Sequence, residues 1–147
     1  MEQALVLIKP EGLHKAIVGD VLRPFINSDL KLAGLKLVKP TKSLARKHYI
    51  QLKDKSFYNQ IVDYLTGKFH EGSPVVAMVF QGPSAVKKCR DIAGATNPEE
   101  ASPKSVRGKF GRITTQGLFE NIVHVSSDGP QASREVSLWF KKRELLK

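Results

Sequence analysis

The residue with the most chemistry to offer is His124, in Asn121-Ile122-Val123-His124-Val125-Ser126-Ser127-Asp128. Two apolar residues lead into it, one more follows, and hydroxyls and an acid close the stretch. Gly129-Pro130 comes next, a helix opening in which proline's missing N–H costs nothing. The order is strand, edge, helix, which places the imidazole at the carboxyl end of the strand, facing a crevice. Glu135 lies one amphipathic helix further on and can fold back toward the ring. A neutral imidazole oriented by a carboxylate is a nucleophile. Taken alone, His124 could equally be a partly buried structural histidine.

The elements around it follow from hydrophobic patterning. Ala4 to Ile8 is a continuous apolar run, expected of a strand buried on both faces, and it ends at Lys9-Pro10-Glu11-Gly12. Val18, Val21, Leu22, Phe25 and Ile26 recur at helical spacing, although Pro24 should kink that helix or cost an internal hydrogen bond. Leu30 to Val38 reads as a second strand. Ser43 is the expected N-cap of a helix through Leu52, and a further helix carries Phe57, Ile61, Val62 and Leu65. Val75 to Phe80 is the strongest strand, and Gly82-Pro83 starts a helix with Cys89 on its apolar stripe and Arg90 at its edge. From Gly94 to about Glu120 periodicity disappears, and a loop this long inside a compact domain is usually functional. The last helix carries Ala132, Val136, Trp139 and Phe140.

The order β-α-β-α-α-β-α-loop-β-α predicts a single α+β domain over residues 1–147. Its two βαβ halves should form a ferredoxin-like four-stranded antiparallel sheet with helices on one face. No apolar run reaches the length of a membrane span. The one cysteine has no internal partner, and the four histidines are scattered without metal-ligand spacing, so a reducing, cytoplasmic protein is expected. The net charge of +10 attracts polyanions such as nucleotides, nucleic acid or anionic surfaces without choosing among them. A P-loop, a dinucleotide fingerprint and a GxSxG elbow are absent. What remains is a histidine at a strand edge, a polar loop with arginines, and lysine and aromatic residues at other element ends. Arginines grip phosphate oxygens bidentately, and a hydroxyl such as Thr96 adds a neutral donor.

Over nearly its whole length the chain resembles the nucleoside diphosphate kinases. The matching stretches are Ile8-Lys9-Pro10-Glu11-Gly12, His48-Tyr49, Pro74 to Val79, Gly94-Ala95-Thr96-Asn97-Pro98, Val106 to Gly111, and Asn121-x-x-His124, in the family's order. The resemblance implies ping-pong transfer of the γ-phosphoryl of a nucleoside triphosphate such as ATP to a diphosphate. His124 would be the nucleophile, attacking through Nδ1, with Glu135 orienting its ring. Arg90, Thr96 and Arg107 match positions that hold phosphates. Lys9 and Asn121 match residues at the sugar hydroxyls and the transferring phosphate, with Tyr49 beside them. Phe57 matches the aromatic that stacks on the base; alone, it would read as core. Magnesium is implied as Mg2+ carried in by the nucleotide, since the sequence shows no protein cage for it. A homo-oligomer, hexamer or tetramer, is implied as well.

This sequence departs from the pattern in three respects. Val125 stands where the family has a small residue, Ser127 replaces its aspartate, and Asp128 follows one place late. Two insertions fall around Gly67 to Ser73 and between Gly111 and Asn121, the second near Leu118, a candidate base contact. The rival functions are an inactive relative kept as an assembly protein, which Val125 and Ser127 suggest but the filled nucleophile, phosphate and sugar positions disfavour, and a nucleic-acid-binding module, for which +10 would serve. RNA-recognition sheets need aromatics on the exposed face of two central strands. Here those strands carry Leu, Val, Ala and Met, with Phe80 only at an end, so nucleic acid is expected as a weak partner at most.

Overall fold

The computed structural model describes residues 1–147. In chain order, β1 (Glu2–Ile8) leads through α1 (Pro10–His14) and α2 (Val18–Ile26) to β2 (Lys31–Val38). Next come α3 (Lys42–His48), α4 (Tyr58–Leu65), β3 (Val75–Gly82) and α5 (Ala85–Ala93). Then follow α6 (Val106–Phe110), β4 (Arg112–Ile113), β5 (Phe119–Glu120), β6 (Val123–Val125) and α7 (Gly129–Trp139). The main sheet has the order β2-β3-β1-β6, every neighbouring pair antiparallel, and β4 and β5 form a separate hairpin. This is the ferredoxin-like α+β arrangement.

Helices cover both faces of the sheet, not one. Side chains alternate along β1: Ala4, Val6 and Ile8 meet Val21 and Phe25 of α2 and Ala85, Cys89 and Ala93 of α5. Leu5 and Leu7 meet Ala45 of α3, Val62 and Leu65 of α4, and Val136 and Trp139 of α7. The uninterrupted apolar character of β1 is the signature of this double burial, since a half-exposed strand would alternate with polar residues. Ala4 to Ile8 are completely buried. With both faces of the central strands β1 and β3 covered, they offer no platform of the kind on which an RNA-recognition domain stacks bases.

Two local expectations are corrected. The N-cap of α3 is Thr41, whose hydroxyl accepts from the Leu44 N–H at 3.1 Å, so Ser43 lies inside the first turn. The segment after Gly94 holds a short helix and a hairpin. α6 is capped by the Ser105 hydroxyl, which accepts from the Gly108 N–H. Five-residue helices and two-residue strands are too short to leave a readable period. Pro24 stands inside α2, which continues past it to Ile26; having no N–H, it cannot donate to the Asp20 carbonyl, so the internal hydrogen bond is lost as expected.

Candidate active site

His124 is the middle residue of β6, paired with Leu7, and so faces the layer built by α3, α4 and α7. The helix that must return Glu135 to it begins at Asp128, whose carboxylate caps α7 by accepting from the Gln131 N–H at 2.8 Å. The acid one place late in the family pattern therefore serves as the N-cap. Glu135, two turns on, is buried and accepts from His124 Nε2 across 3.1 Å. Its Oε2 also accepts from the Ser126 hydroxyl at 2.7 Å, and Ser126 Oγ in turn accepts from the Leu5 N–H at 3.1 Å. Burial pushes the Glu135 carboxyl up, but the His124 and Ser126 hydrogen bonds and the nearby positive charge outweigh it, and the net shift is downward. A carboxylate can only accept, so the neutral imidazole carries its proton on Nε2 and leaves the Nδ1 lone pair free. The His124 side chain is 19% exposed, enough for a reactant to reach it.

His48 lies against His124 edge to face, ring centroids 4.3 Å apart. Its Nδ1 accepts from Trp139 Nε1 at 3.1 Å, and Arg134 ties α7 to this end of α3 by donating to the Lys47 and His48 carbonyls. Burial, then His124 and Arg134, hold His48 well below the ordinary histidine range, so it is neutral. His48, His124 and Glu135 bring ligand-type atoms within 4.8 Å of one another. The hydrogen bonds argue against a metal there. Trp139 donates to Nδ1 of His48, so its Nε2 bears the proton, and His124 Nε2–H is committed to Glu135; only Nδ1 of His124 keeps a free lone pair, too few nitrogen ligands for a histidine-held ion.

The open side of His124 faces a cavity of about 600 Å³, the size of a small-molecule site. The structure brings Lys9, Tyr49, Phe57 and Arg90 to its wall, together with Thr96, Arg107, Asn121 and His124. Glu135 stands behind His124 and does not line it. Asn121 links two of these groups: Oδ1 accepts from Lys9 Nζ at 2.8 Å, and Nδ2 donates to the Thr96 carbonyl at 2.9 Å. Phe57 is not core; it is the N-cap residue of α4, 44% exposed and on the cavity wall. Burial, followed by the charges of Glu11 and Glu135, pushes the Tyr49 phenol up, so it is a hydroxyl donor at neutral pH. Arg107 is partly committed. It donates to the Gly94 and Val123 carbonyls at 2.8 and 2.9 Å, and burial with Arg90 nearby lowers its guanidinium to about 10. No carboxylate lines the cavity. A hard cation needs oxygen ligands, so a cation at this wall would have to bring them with the group it accompanies, while Lys9, Arg90 and Arg107 supply positive charge.

The β4–β5 hairpin lines the same cavity with Gly117, Leu118 and Phe119, and the N-terminal end of α4 lines it with Phe57, Gln60 and Ile61. Glu120 anchors it, accepting from Lys15 at 2.7 Å, His70 Nε2 at 3.0 Å and Arg112 at 2.5 Å. The two inserted segments thus meet at His70 and Glu120. Val125, paired with Val6, points to the opposite face from His124 and is 4% exposed, packed with Ile8 and Val123 while contributing an edge to the cavity.

Sequence reasoning assigned no part to Ser126, His48, Trp139, Tyr64 or Gln60. Ser126, His48 and Glu11 lie within quoted motif stretches, a usable signal; Trp139 and Tyr64 look like ordinary apolar helix positions. A histidine with one nitrogen held by a buried carboxylate thus stands at the wall of a basic cavity that an exposed aromatic also lines. Residues 2–145 match the family described as nucleoside diphosphate kinase. The chain is 41% identical over 146 residues to a nucleoside diphosphate kinase of Picosynechococcus sp., covering 99% of this chain and 91% of that protein. It is 38% identical over 145 residues to nucleoside diphosphate kinase 3 of Mus musculus, covering 99% and 80%. Among solved structures, the Borrelia burgdorferi nucleoside-diphosphate kinase with bound vanadate and ADP, a transition-state mimic, superimposes with a TM-score of 0.89. That match has 29% identity and covers 99% of this chain and 90% of the other. The Halobacterium salinarum nucleoside diphosphate kinase in complex with CDP gives 0.89 at 32% identity, covering 99% and 91%. The chain belongs to the nucleoside diphosphate kinase family and is a phosphotransferase.

Proposed function

We propose that this chain passes the γ-phosphoryl of a nucleoside triphosphate to a nucleoside diphosphate through a phosphohistidine at His124. The single observation that carries the reading is the pairing of His124 Nε2 with buried Glu135, which leaves Nδ1 as the free nucleophile at the cavity. In the first half-reaction the Nδ1 lone pair forms a bond to the γ-phosphorus. The bond from phosphorus to the bridging oxygen breaks, and its electron pair leaves with the diphosphate. As the imidazole becomes cationic, Glu135 stabilises the charge through Nε2–H, and Ser126 keeps the carboxylate in place. Lys9, Arg90 and Arg107 offset the charge on the transferring group, Thr96 and Tyr49 add neutral donors, and Asn121 fixes the Lys9 ammonium. When bound on the nucleotide, magnesium supplies further neutralisation of the β- and γ-oxygens. The second half-reaction reverses these steps on a second diphosphate. Phe57 holds the base by its face, which any base possesses.

The chain acts as a homo-oligomer in this proposal, and its sheet supports that: β2 is an open edge strand with Leu35 and Leu37 exposed. A cytoplasmic setting is proposed with it; the lone cysteine, Cys89, is buried and its thiol is pushed up to about 12 by burial and the Glu2 charge, and no helix is long and apolar enough to cross a membrane. The basic surface gives nucleic acid a weak, salt-sensitive hold only. The test is incubation with γ-labelled ATP. Acid-labile, alkali-stable label should appear on the parent, and His124→Gln should lose label and turnover together. Label surviving in that variant would overturn the assignment.

A further inference from the structure

Glu11 is completely buried between the nucleotide cavity and the core, and the transfer chemistry described above leaves it without a task. Its Oε2 accepts from the Tyr64 hydroxyl of α4 at 2.8 Å and from the Ile122 N–H at 3.1 Å. The Lys9 ammonium stands 3.6 Å from the same oxygen, 4.6 Å above the Tyr64 ring. Ile122 is the joint between Asn121 and the strand that carries His124, and its φ is +72°. A β-branched residue with positive φ is strained and persists only where its surroundings hold it. Here both of its backbone groups are held by one short segment: Glu11 takes the N–H, and the Lys9 N–H donates to its carbonyl at 2.8 Å.

We propose that Glu11, clamped by Tyr64, is a positioning residue for phosphoryl transfer, holding the Lys9 ammonium in the cavity and pinning the strained joint that aims Asn121 and His124. The proposal rests on the nucleotide-site reading of Lys9. The charged groups facing Lys9 are Glu11, Arg107 and Glu120. Burial is the largest influence and lowers the Lys9 ammonium, Glu11 raises it, and Arg107 adds to the lowering. Removing the Glu11 charge leaves burial and Arg107 opposed only by the more distant Glu120. Lys9 should then lose its proton at lower pH, and with it the group that Asn121 presents to the nucleotide. A carboxylate that served packing alone would leave that titration where it was.

The experiment compares the parent, Glu11→Gln, Glu11→Asp and Tyr64→Phe. Lysine labelled with ¹⁵N reports the Lys9 titration directly, whether or not the protein is active, and kcat/KM for transfer from ATP is followed from pH 6 to 10. In Glu11→Gln the Lys9 titration and the alkaline limb of kcat/KM should both move down by about one unit or more, as expected when an opposite charge at this range is removed. Glu11→Asp, which keeps the charge, should restore most of the shift. Tyr64→Phe deletes only the clamping hydroxyl and should move the limb in the same direction by less; it carries the test if Glu11→Gln does not fold. Coincident Lys9 titrations and pH profiles in the parent and the folded variants would overturn the proposal. Failure of the histidine mechanism would show instead as absent label on the parent, with the Lys9 titration still readable.

Discussion

Replacing Val125 by Ala should weaken the fold and leave the chemistry nearly untouched. The family pattern puts a small residue after the histidine, so valine there invites the view that this chain is a damaged enzyme. The register argues otherwise: His124 pairs with Leu7 and Val125 with Val6, so the two side chains leave the strand on opposite faces. Val125 packs with Val6, Ile8 and Val123 and is 4% exposed. Its replacement by Ala removes two methyl groups, worth about 0.8 kcal/mol each on transfer. A partly collapsed cavity adds to this, for a total of about 1.5–2 kcal/mol. At roughly 2–4 °C per kcal/mol for a chain of this size, Tm should fall by about 3–8 °C. The backbone N–H after the histidine is the same in both proteins, so kcat should stay within about tenfold, or about 1.4 kcal/mol of barrier. The assay is steady-state transfer from ATP to a second diphosphate, run beside thermal unfolding of both proteins. Because Val125 also edges the cavity, a gain of a hundredfold or more in the alanine variant would refute the reasoning and mean that valine crowds the phosphoryl site.

Two further outcomes follow from the cavity walls. Phe57→Ala should cost about 1–3 kcal/mol in kcat/KM for every common diphosphate alike, and in the parent the four should agree within about 1–2 kcal/mol; a preference of several decades for one base would show that the hairpin at Leu118 or Gln60 reads base edges. Burial raises the Glu120 carboxyl, but hydrogen bonds from Lys15, His70 and Arg112 outweigh it and bring the value from an ordinary 4.5 to about 2. Since the folded value is depressed, its stabilisation is present above about pH 4.5 and is lost as pH falls toward 2. At about 1.4 kcal/mol per unit the ceiling is near 3 kcal/mol, and solvent screening at exposed Arg112 reduces this to about 1–2 kcal/mol. Glu120→Gln should therefore lower the urea midpoint at pH 7, with the gap to the parent narrowing by pH 3; a gap that stays constant over that range would contradict the linkage.

What could be read from the residues, and what could not, divides on range. β1, β3 and α5 were legible because their apolar runs are long and their burial one-sided or complete along the whole element. The pairing of His124 with Glu135 was legible because one helix of definite length separates them. The second helical layer was not, because a pattern that says a strand is buried on both faces does not say by which helices. The roles of Tyr64 and Trp139 depend on partners far along the chain, Glu11 and His48, and each looks like core in its own helix. Phe57 went the other way. It reads as core by composition, and only its place at the end of α4 frees the ring.

His124 sits on the edge strand of a sheet whose faces are both covered, and that topology explains why the reactive group and its strain are where they are. With helices on both faces, the open edge beside β6 is where a cavity can reach a strand side chain without dismantling the core. An edge strand also presents unpaired backbone groups, which must be satisfied if a buried site is to form there. At β6 a functional side chain does so, and the joint that precedes the strand is held from the β1 side. Arg107 donates to the Val123 carbonyl, Glu11 accepts the Ile122 N–H, and the Lys9 N–H bonds the Ile122 carbonyl. Of the cations at the cavity, Arg107 is thereby fixed to the strand that carries the nucleophile. Arg107 cannot be removed as a phosphate contact without also uncapping β6. Loss of activity in an Arg107 variant is therefore a composite of lost charge and lost strand order, whereas Arg90, which makes no such bond to β6, isolates the electrostatic contribution.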